Sequence, residues 1–343
     1  MKKVDVIIPL YKPNERFKRM LLKLKKQTIP VNKIIIINTE RKYFDSFFYG
    51  SDFFDGFDNV IIKHVSEYEF DHGGTRRMAV SLSDADYFVC MTDDAMPCDK
   101  RLIEELLVPI MEGKASVSYG RQLTGKNCSE TERFTRKFNY PAKSAVKTKK
   151  DIEKLGIKAF FCSNVCACYD RKVYDKVGGF EKRTIFNEDM ILAYKVLQAG
   201  YNIAYCADAK VIHQHHYNNI DQLRRNFDLG VSQAMHPEIF GHIKSESEGK
   251  KLVRQTTEHL KKKGMKDLIM PMYIMSGYKY LGYLLGKHYK MLPKTFIYKV
   301  TMNKNFWRHA EKGKELDLTA GYGRSKVEDE WNKEIYSRLN NKS

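Results

Sequence analysis

The sequence predicts an α/β protein built on a mainly parallel sheet with helices on its faces. In the first hundred residues, short apolar runs typical of strands alternate with segments whose apolar residues recur at helical spacing. Such alternation indicates parallel strands joined by crossover helices. With 343 residues, 43% of them hydrophobic, the chain is long enough to bury a large core, which excludes a disordered protein.

The elements can be assigned in chain order. Strands are predicted at four early apolar runs, VDVIIPLY, KIIIIN, NVIIKHV and YFVCMT, and helices at 14–27, 74–83 and 101–111. A long polar segment, 120–154, precedes two further strand-like runs, AFFCSNVCACY and NIAYC, which are separated by a predicted helix at 188–199. From about residue 220 the pattern is helical. A composition shift near residue 240 predicts a first domain, 1–240, and a helical C-terminal region, 241–343.

The C-terminal region is also basic. The whole chain has a formal net charge of +18, and residues 241–343 hold 22 basic and 11 acidic side chains. Such a region attracts nucleic acid, anionic lipid or anionic substrates, and charge alone does not choose between them.

Within this region, residues 268–286 form a nineteen-residue apolar and aromatic stretch of nearly membrane-spanning length. Pro271 and Lys279 interrupt it, and lysines flank it on both sides. These features favour a helix that packs on the core or lies at a membrane surface over one that spans the bilayer. A self-associating helix is a further alternative, so homo-oligomer formation is left open.

The cysteines and the N-terminus indicate a cytoplasmic protein. Seven cysteines are an odd number, as expected for reduced thiols in a reducing compartment. Cys162, Cys166 and Cys168 are clustered but lack the paired spacing of a structural zinc site, which favours buried thiols. The first apolar run is short and contains Asp5 and Pro9, so it does not fit a signal peptide.

Two adjacent carboxylates, Asp93 and Asp94, follow the predicted strand Tyr87 to Thr92. In α/β sheets, ligands bind beyond the carboxyl ends of the strands. Burying two like charges without a partner is costly, so a cation is expected there, or the site opens to water. No GxGxxG or Walker A motif is present, so a bound phosphate would need a metal ion or basic side chains.

Two later segments supply carboxylates and imidazoles, which can act in acid–base catalysis or bind a metal ion. Glu188 and Asp189 begin a predicted amphipathic helix, where an acid can simply cap the positive end of the helix dipole. The segment VIHQHHY offers His213 and His215 as metal ligands, unless these are surface histidines beside a strand end.

Taken together, VDVIIPLYKP, DHGGTRRMA, TDDA, NEDM and VIHQHHY resemble the family-two glycosyltransferases, which have the GT-A fold. The phrases EFDHGGTRR, YGRQL and FFCSN resemble the bacterial rhamnosyltransferase branch of that family. The similarity extends over roughly residues 4–230 and depends on the order of several motifs.

The resemblance implies a role for each motif. Asp94 occupies the place of the family's metal-binding acid. His213 occupies the place of a metal or phosphate contact, a role that His215 could take instead. Mg²⁺ or Mn²⁺ suits these ligands. Asp189 matches the catalytic base of an inverting transfer, with Glu188 beside it as a positioning or capping group. The implied nucleotide-sugar contacts are Asp93, Pro9, Tyr11, Asn38, Thr39, His72, Arg76 and Arg77. The implied sugar and acceptor pocket contains Arg121, Gln122, Ser163, Asn164, Glu188 and His215.

One departure from the family pattern concerns the nucleotide base. Many members carry two acids after the second strand, whereas this chain has Asn38, Thr39 and Glu40 there. The identity of the base therefore stays open, and thymidine is implied only through the rhamnosyltransferase resemblance.

An alternative also exists for the arginines. One of Arg76 and Arg77 could be a solvated helix residue instead of a diphosphate clamp.

The expected function is metal-dependent, inverting transfer of L-rhamnose from dTDP-rhamnose to a lipid-linked saccharide for a bacterial surface polysaccharide. The expected location is the inner face of the membrane, where the basic C-terminal region would contact anionic lipid. The same fold acting on a UDP-hexose is one alternative. A non-catalytic module that binds nucleic acid or membrane is another, although Asp94 and Asp189 speak against it and no nucleic-acid partner is expected.

Overall fold

The computed structural model describes residues 2–214, 217–243 and 245–311. Within them the strands are β1 (Val4–Tyr11), β2 (Ile34–Thr39), β3 (Val60–Val65), β4 (Tyr87–Met91), β5 (Met96–Pro97), β6 (Val117–Leu123), β7 (Ala145–Lys147), β8 (Cys166–Asp170) and β9 (Ile203–Ile212). The helices of the first part are α1 (Glu15–Lys25), α2 (Arg41–Phe48), α3 (His72–Ser81), α4 (Leu102–Met111), α5 (Glu130–Asn139), α6 (Asp151–Leu155), α7 (Arg171–Lys176) and α8 (Glu188–Gln198). They are followed by α9 (Asn219–Met235), α10 (Pro237–Phe240), α11 (Ser245–Lys262), α12 (Ile269–Lys287), α13 (Lys294–Val300) and α14 (Lys304–Glu311).

The strands form one mixed sheet in the order β3-β2-β1-β4-β8-β6-β9-β5, with β7 also paired to β9. The strands β1 to β4 pair in parallel, as their alternation with helices predicts. Strand β8 then runs antiparallel to both β4 and β6, while β9 runs parallel to β6. The sheet is therefore parallel in its first half and mixed in its second.

Local sequence explains the first half of the sheet. The strand IIIINT is buried throughout because its two faces carry helices, and its four isoleucines alternate between the apolar cores on the two faces. Helix α1 begins at Asn14, whose side chain accepts hydrogen bonds from the backbone N–H groups of Arg16 and Phe17. It buries Phe17 and Met20 against the sheet.

Two predicted segments differ from the structure. The run AFFCSNVCACY forms a strand only from Cys166 onward, because Ser163 and Asn164 turn the chain before it. The polar segment 120–154, for which no helix is predicted, contains α5. Ser129 caps the N-terminus of this helix, and its side chain accepts a hydrogen bond from the N–H of Glu132. A further prediction agrees with the structure, since the clustered thiols Cys162, Cys166 and Cys168 are free and buried in the core.

The predicted apolar stretch at 268–286 forms α12, which packs directly on α9. The two helices approach so closely that a Cβ added at Gly286 would lie 2.1 Å from the carbonyl oxygen of Phe227, and one at Gly282 would lie 2.2 Å from that of Leu223. Glycine is required at both positions because any side chain would meet backbone. None of the helices in the described ranges is long and apolar enough to cross a membrane.

Helix α13 also contacts α9, where Phe227 and Val231 form a small core with Ile297. Helix α11 contacts α5 through Glu130, whose Oε1 accepts from His259 Nε2 and Lys263 Nζ, both at 2.7 Å. The basic C-terminal region thus packs on the first part of the chain, and the boundary near residue 240 stays a prediction.

Candidate functional site

The site lies where the carboxyl ends of β1, β4 and β9 meet. Asp93 follows β4, and its Oδ2 accepts a hydrogen bond from the backbone N–H of Tyr11 at 3.2 Å. Burial, with a smaller contribution from the neighbouring Asp94, raises the pKa of Asp93 to about 6. His213 follows β9, and its Nε2 lies 3.4 Å from Asp94 Oδ1. Folding thus brings the predicted metal contacts Asp94 and His213 together.

Gln122, at the end of β6, orients the His213 ring. Its Nε2 donates to the hydroxyl of Tyr140 at 2.6 Å and to Ser163 Oγ at 3.0 Å. The amide oxygen of Gln122, Oε1, therefore faces His213 Nδ1 at 2.9 Å and accepts its hydrogen bond. A proton on Nδ1 leaves the lone pair of Nε2 directed at Asp94. This is the tautomer that a metal-binding imidazole requires.

Asp94 and His213 fit a metal ion that is shared with a substrate. No group of three or more His, Cys, Asp or Glu side chains suited to a metal ion occurs within the described ranges. A Mg²⁺ ion normally takes only one or two protein ligands, the others being water and phosphate oxygens. One carboxylate and one imidazole match that pattern and differ from a closed structural site.

A second cluster lies at the start of α8. Asp189 Oδ2 accepts from the backbone N–H of Asn164 at 3.0 Å, and its Oδ1 accepts from the N–H of Met190 at 2.8 Å. Glu188 Oε1 accepts from Asn164 Nδ2 at 3.0 Å and forms a buried ion pair with Arg76 Nη1 at 3.1 Å. Asn164 therefore holds both acids, which a simple helix cap would not need.

The two acids have pKa values displaced in opposite directions. Burial raises the pKa of Asp189 to about 7, and the charge of Glu188 contributes to the rise. Burial also opposes ionisation of Glu188, but Arg76 and the hydrogen bond from Asn164 hold its pKa below the ordinary value. At neutral pH, Glu188 is ionised and Asp189 can take up or release a proton, a division of roles typical of acid–base sites.

The predicted nucleotide-sugar contacts on α3 differ in the partners that they bind. Arg76 is buried and forms the ion pair with Glu188. Its Nη1 also donates to the carbonyl oxygen of His72 at 2.9 Å. Arg77 donates from Nη1 to the carbonyl oxygens of Gly178 at 2.6 Å and Phe180 at 2.7 Å. These bonds give Arg77 a structural role in place of the expected diphosphate contact. Burial lowers the pKa of His72 to about 4, so this imidazole is neutral.

The predicted nucleotide contacts lie together at the ends of β1 and β2. Pro9 is partly buried and opposite Ile37, and Tyr11 pairs with Thr39. Tyr11 is 43% exposed, and its hydroxyl donates to Glu67 Oε1 at 2.5 Å. Asn38 is buried, its Nδ2 lies 3.0 Å from His64 Nδ1, and its Oδ1 has no hydrogen-bond partner within the described part of the chain.

The predicted acceptor pocket divides into two parts. Gln122 and Ser163 are bound to each other beside His213, while Asn164 holds the acids of α8. Arg121 lies apart from these contacts, on a cavity of about 490 Å³ beside α5. His215 lies outside the described residues, so its expected role stays a prediction.

Sequence reasoning missed three residues at the site. Tyr140 and Arg136 both contact Gln122, and Arg136 Nη2 lies 3.4 Å from His213 Nδ1. Arg225 of α9 lies over the ring of Phe186 at 4.8 Å, close enough to Asp189 and Arg136 to interact with them electrostatically. The basic pair at 224–225 was the one available signal, since Arg136 and Tyr140 occur in an unpatterned polar segment.

Comparison with known proteins shows the family of the chain. Residues 5–178 match the family model described as Glycosyl transferase family 2. The chain is 37% identical over 314 residues to the O-antigen chain rhamnosyltransferase RfbN of Salmonella typhimurium strain LT2, covering 90% of this chain and 97% of that protein. It is also 37% identical over 258 residues to the O-antigen chain rhamnosyltransferase WbaN of Salmonella anatum, covering 74% of this chain and 80% of that protein.

A solved structure supports the fold. The mannosyltransferase PcManGT from Pyrobaculum calidifontis, in complex with GDP-Man and Mn²⁺, superposes with a TM-score of 0.52 at 14% identity. The match covers 93% of this chain and 87% of that one. At this identity the likeness concerns the fold alone, which is of the GT-A type. The family match and the two relatives show that the chain is a glycosyltransferase and belongs to glycosyltransferase family 2.

Proposed function

We propose that the protein transfers L-rhamnose from dTDP-rhamnose to a lipid-linked saccharide, with inversion, in the synthesis of a bacterial surface polysaccharide. The observation that carries the mechanism is the pair formed by an ionised Glu188 and an Asp189 whose pKa is raised to about 7. A base is most effective when its pKa lies near the working pH. The two O-antigen rhamnosyltransferase relatives support the choice of sugar.

In this mechanism Asp189 takes the proton of the acceptor hydroxyl as that oxygen attacks the anomeric carbon from the side opposite the diphosphate. Asn164 fixes the Asp189 carboxylate through the backbone N–H bond to Oδ2. The ion pair with Arg76 keeps Glu188 ionised and in place, which keeps the pKa of Asp189 high enough for it to hold the proton.

Asp94 and His213 would hold Mg²⁺ or Mn²⁺, which when bound offsets the charge that develops on the departing diphosphate. The binding of GDP-Man and Mn²⁺ by the mannosyltransferase of the same fold supports a metal in this role. Asp93, Tyr11, Asn38, Thr39 and Pro9 would contact the nucleoside. The unpartnered Oδ1 of Asn38 suits the N–H group of a pyrimidine base, and thymine and uracil both offer one.

The membrane is proposed to meet the exposed face of α12. Met270, Ile274 and Leu281 are 65%, 48% and 49% exposed along this helix, and lysines lie at both of its ends. An apolar stripe with basic flanks suits the interface of an anionic membrane. Flotation with anionic liposomes is expected for the wild type and is expected to weaken in Ile274→Ser/Leu281→Ser, but not in Met111→Ser, which removes an exposed apolar side chain from α4. Equal flotation of both variants would exclude α12 as the contact.

Donor breakdown tests the proposed reaction. We expect slow release of dTDP from dTDP-rhamnose with Mg²⁺ or Mn²⁺, its loss with chelator, and little release of UDP from UDP-glucose or UDP-galactose. Preference for a UDP-sugar would refute the rhamnosyl assignment. Metal-independent breakdown would refute the role of Asp94 and His213, and failure to transfer rhamnose to any lipid-linked saccharide isolated from a rhamnose-containing polysaccharide pathway would refute the reaction as a whole.

A further inference from the structure

A cationic cavity of about 490 Å³ lies between the end of β6 and α5. Five cationic side chains are among its lining residues, Arg121, Lys126, Arg133, Arg136 and Lys137, together with Gln122 and Tyr140. Among the described residues that line it, none is acidic. A concave site with this charge suits an anion that carries several negative charges.

Glu130, at the start of α5, does not neutralise these cations. Glu130 lies 3.9 Å from Arg133 Nε, but its carboxylate already accepts from His259 and Lys263 at 2.7 Å each. Those two bonds lower the pKa of Glu130 to about 2. Arg121 Nε is buried and, within the described ranges, has no hydrogen-bond partner. The charges of Arg121 and of the exposed side chains Arg133 and Lys137 therefore stay available for a ligand.

The walls of the cavity are held in place. Gln214 Oε1 accepts from the backbone N–H of Gly125 at 3.1 Å, which ties the loop after β6 to the segment that carries His213. A Cβ added at Gly125 would lie 2.3 Å from that oxygen, so this contact depends on glycine. Arg136 contacts both Gln122 and His213, so an anion in the cavity would lie beside the candidate metal site.

The sheet order separates this cavity from the nucleotide contacts. Strands β4 and β8 lie between β1, which carries Tyr11, and β6, which carries Arg121. At a strand spacing of about 4.8 Å, β1 and β6 are roughly 14 Å apart. The divalent cation at Asp94 and His213 would already offset a donor diphosphate. The five cations of the cavity therefore point to a second anion.

We propose that this cavity binds the diphosphate group of the lipid-linked acceptor, a proposal that rests on the proposed function. Helix α5, which lines the cavity, is bonded through Glu130 to the basic helix α11. An isoprenyl diphosphate whose tail lies in the membrane could reach the cavity along this basic side. The saccharide would then extend from the diphosphate toward Asp189.

The test uses the full chain saturated with Mg²⁺ and dTDP, titrated with farnesyl diphosphate by calorimetry. Binding to the nucleotide-saturated protein is expected, with farnesol at least about a hundredfold weaker because it lacks the charge. Displacement of farnesyl diphosphate by dTDP would overturn the proposal, because the cavity would then be part of the donor site. Equal binding of farnesol would overturn it as well.

Variants assign the binding to the cavity. Arg133→Gln/Lys137→Gln removes two exposed cations and is expected to weaken farnesyl diphosphate binding at least about tenfold, while Lys143→Gln/Lys149→Gln removes the same charge elsewhere and should bind as the wild type does. Equal losses in both double variants would refute the site. Donor hydrolysis is measured separately, so a chain that binds the diphosphate as expected but cleaves no nucleotide-sugar would refute the proposed function and not the cavity.

Discussion

Replacing Glu188 by Gln is expected to move the acidic limb of the pH–rate profile to lower pH. Asp189 has to be ionised to act as a base, so wild-type activity should rise as the pH increases through about 7. Part of the raised pKa of Asp189 is caused by the negative charge of Glu188. Without that charge, and with Arg76 still present, Asp189 loses its proton at lower pH.

The size of this effect follows from the geometry. Both carboxylates accept hydrogen bonds from Asn164, each at 3.0 Å. Two charges about 6 Å apart interact by roughly 3 kcal/mol at an effective dielectric constant of about 20. Since one pKa unit corresponds to about 1.4 kcal/mol, the limb should move down by one to two pH units, roughly. Glutamine can still accept from Asn164 Nδ2, so the local geometry is retained.

The assay is kcat/KM for the acceptor between pH 5 and 9, with Glu153→Gln as the control for loss of one exposed acid. Asp189→Asn should lower the rate by about 10²–10⁴ at every pH, the usual contribution of a general base. Thermal unfolding of each variant is measured in parallel, because leaving Arg76 without its partner in the core costs about 3–5 kcal/mol. An acidic limb that stays in place or moves upward in a folded Glu188→Gln protein would refute the assignment of Asp189 as the base.

Three further outcomes are expected. Asp94→Asn should lower donor breakdown at least about a hundredfold and make the remainder insensitive to chelator, because a charged ligand is lost. Gln122→Met should weaken Mn²⁺ binding in the presence of dTDP by about 10–100-fold, measured by electron paramagnetic resonance, because His213 loses the acceptor that sets its tautomer. Gly286→Ala should destabilise the protein by about 1–3 kcal/mol in chemical denaturation, because the new methyl group meets the carbonyl of Phe227.

The predictions for Gln122 and Gly286 each have a matched comparison. Gln122→Glu keeps an oxygen acceptor for His213 and should lose less Mn²⁺ affinity than Gln122→Met, and equal losses would argue against control of the tautomer. Gly277→Ala changes the same helix where a Cβ would meet nothing within 4 Å, so it should be neutral or stabilising by roughly 1 kcal/mol. If Gly286→Ala were equally harmless, the close packing of α9 on α12 would be wrong.

The first half of the sheet and the positions of the main acids can be predicted from local sequence patterns. Apolar runs such as IIIINT depend on local periodicity, and Asp94 comes at the end of such a run, so both can be read along the chain. Motif order was sufficient to indicate the family, which the family match confirms. These are properties of neighbouring residues, which is why the sequence alone determines them.

Which side chains meet at the site depends on how distant segments of the chain pack together. The contact of Asp94 with His213, the ion pair of Arg76 with Glu188 and the hydrogen bond from Gln122 join residues on different strands and helices. The antiparallel insertion of β8 between β4 and β6 sets these distances, and no local pattern encodes it. The contacts of Arg77 were equally unpredictable, because its guanidinium donates to two carbonyl oxygens that are distant in sequence and lie outside the site. Burial and charge pairing, which place the pKa of Asp189 near neutrality, exist only once the chain has folded.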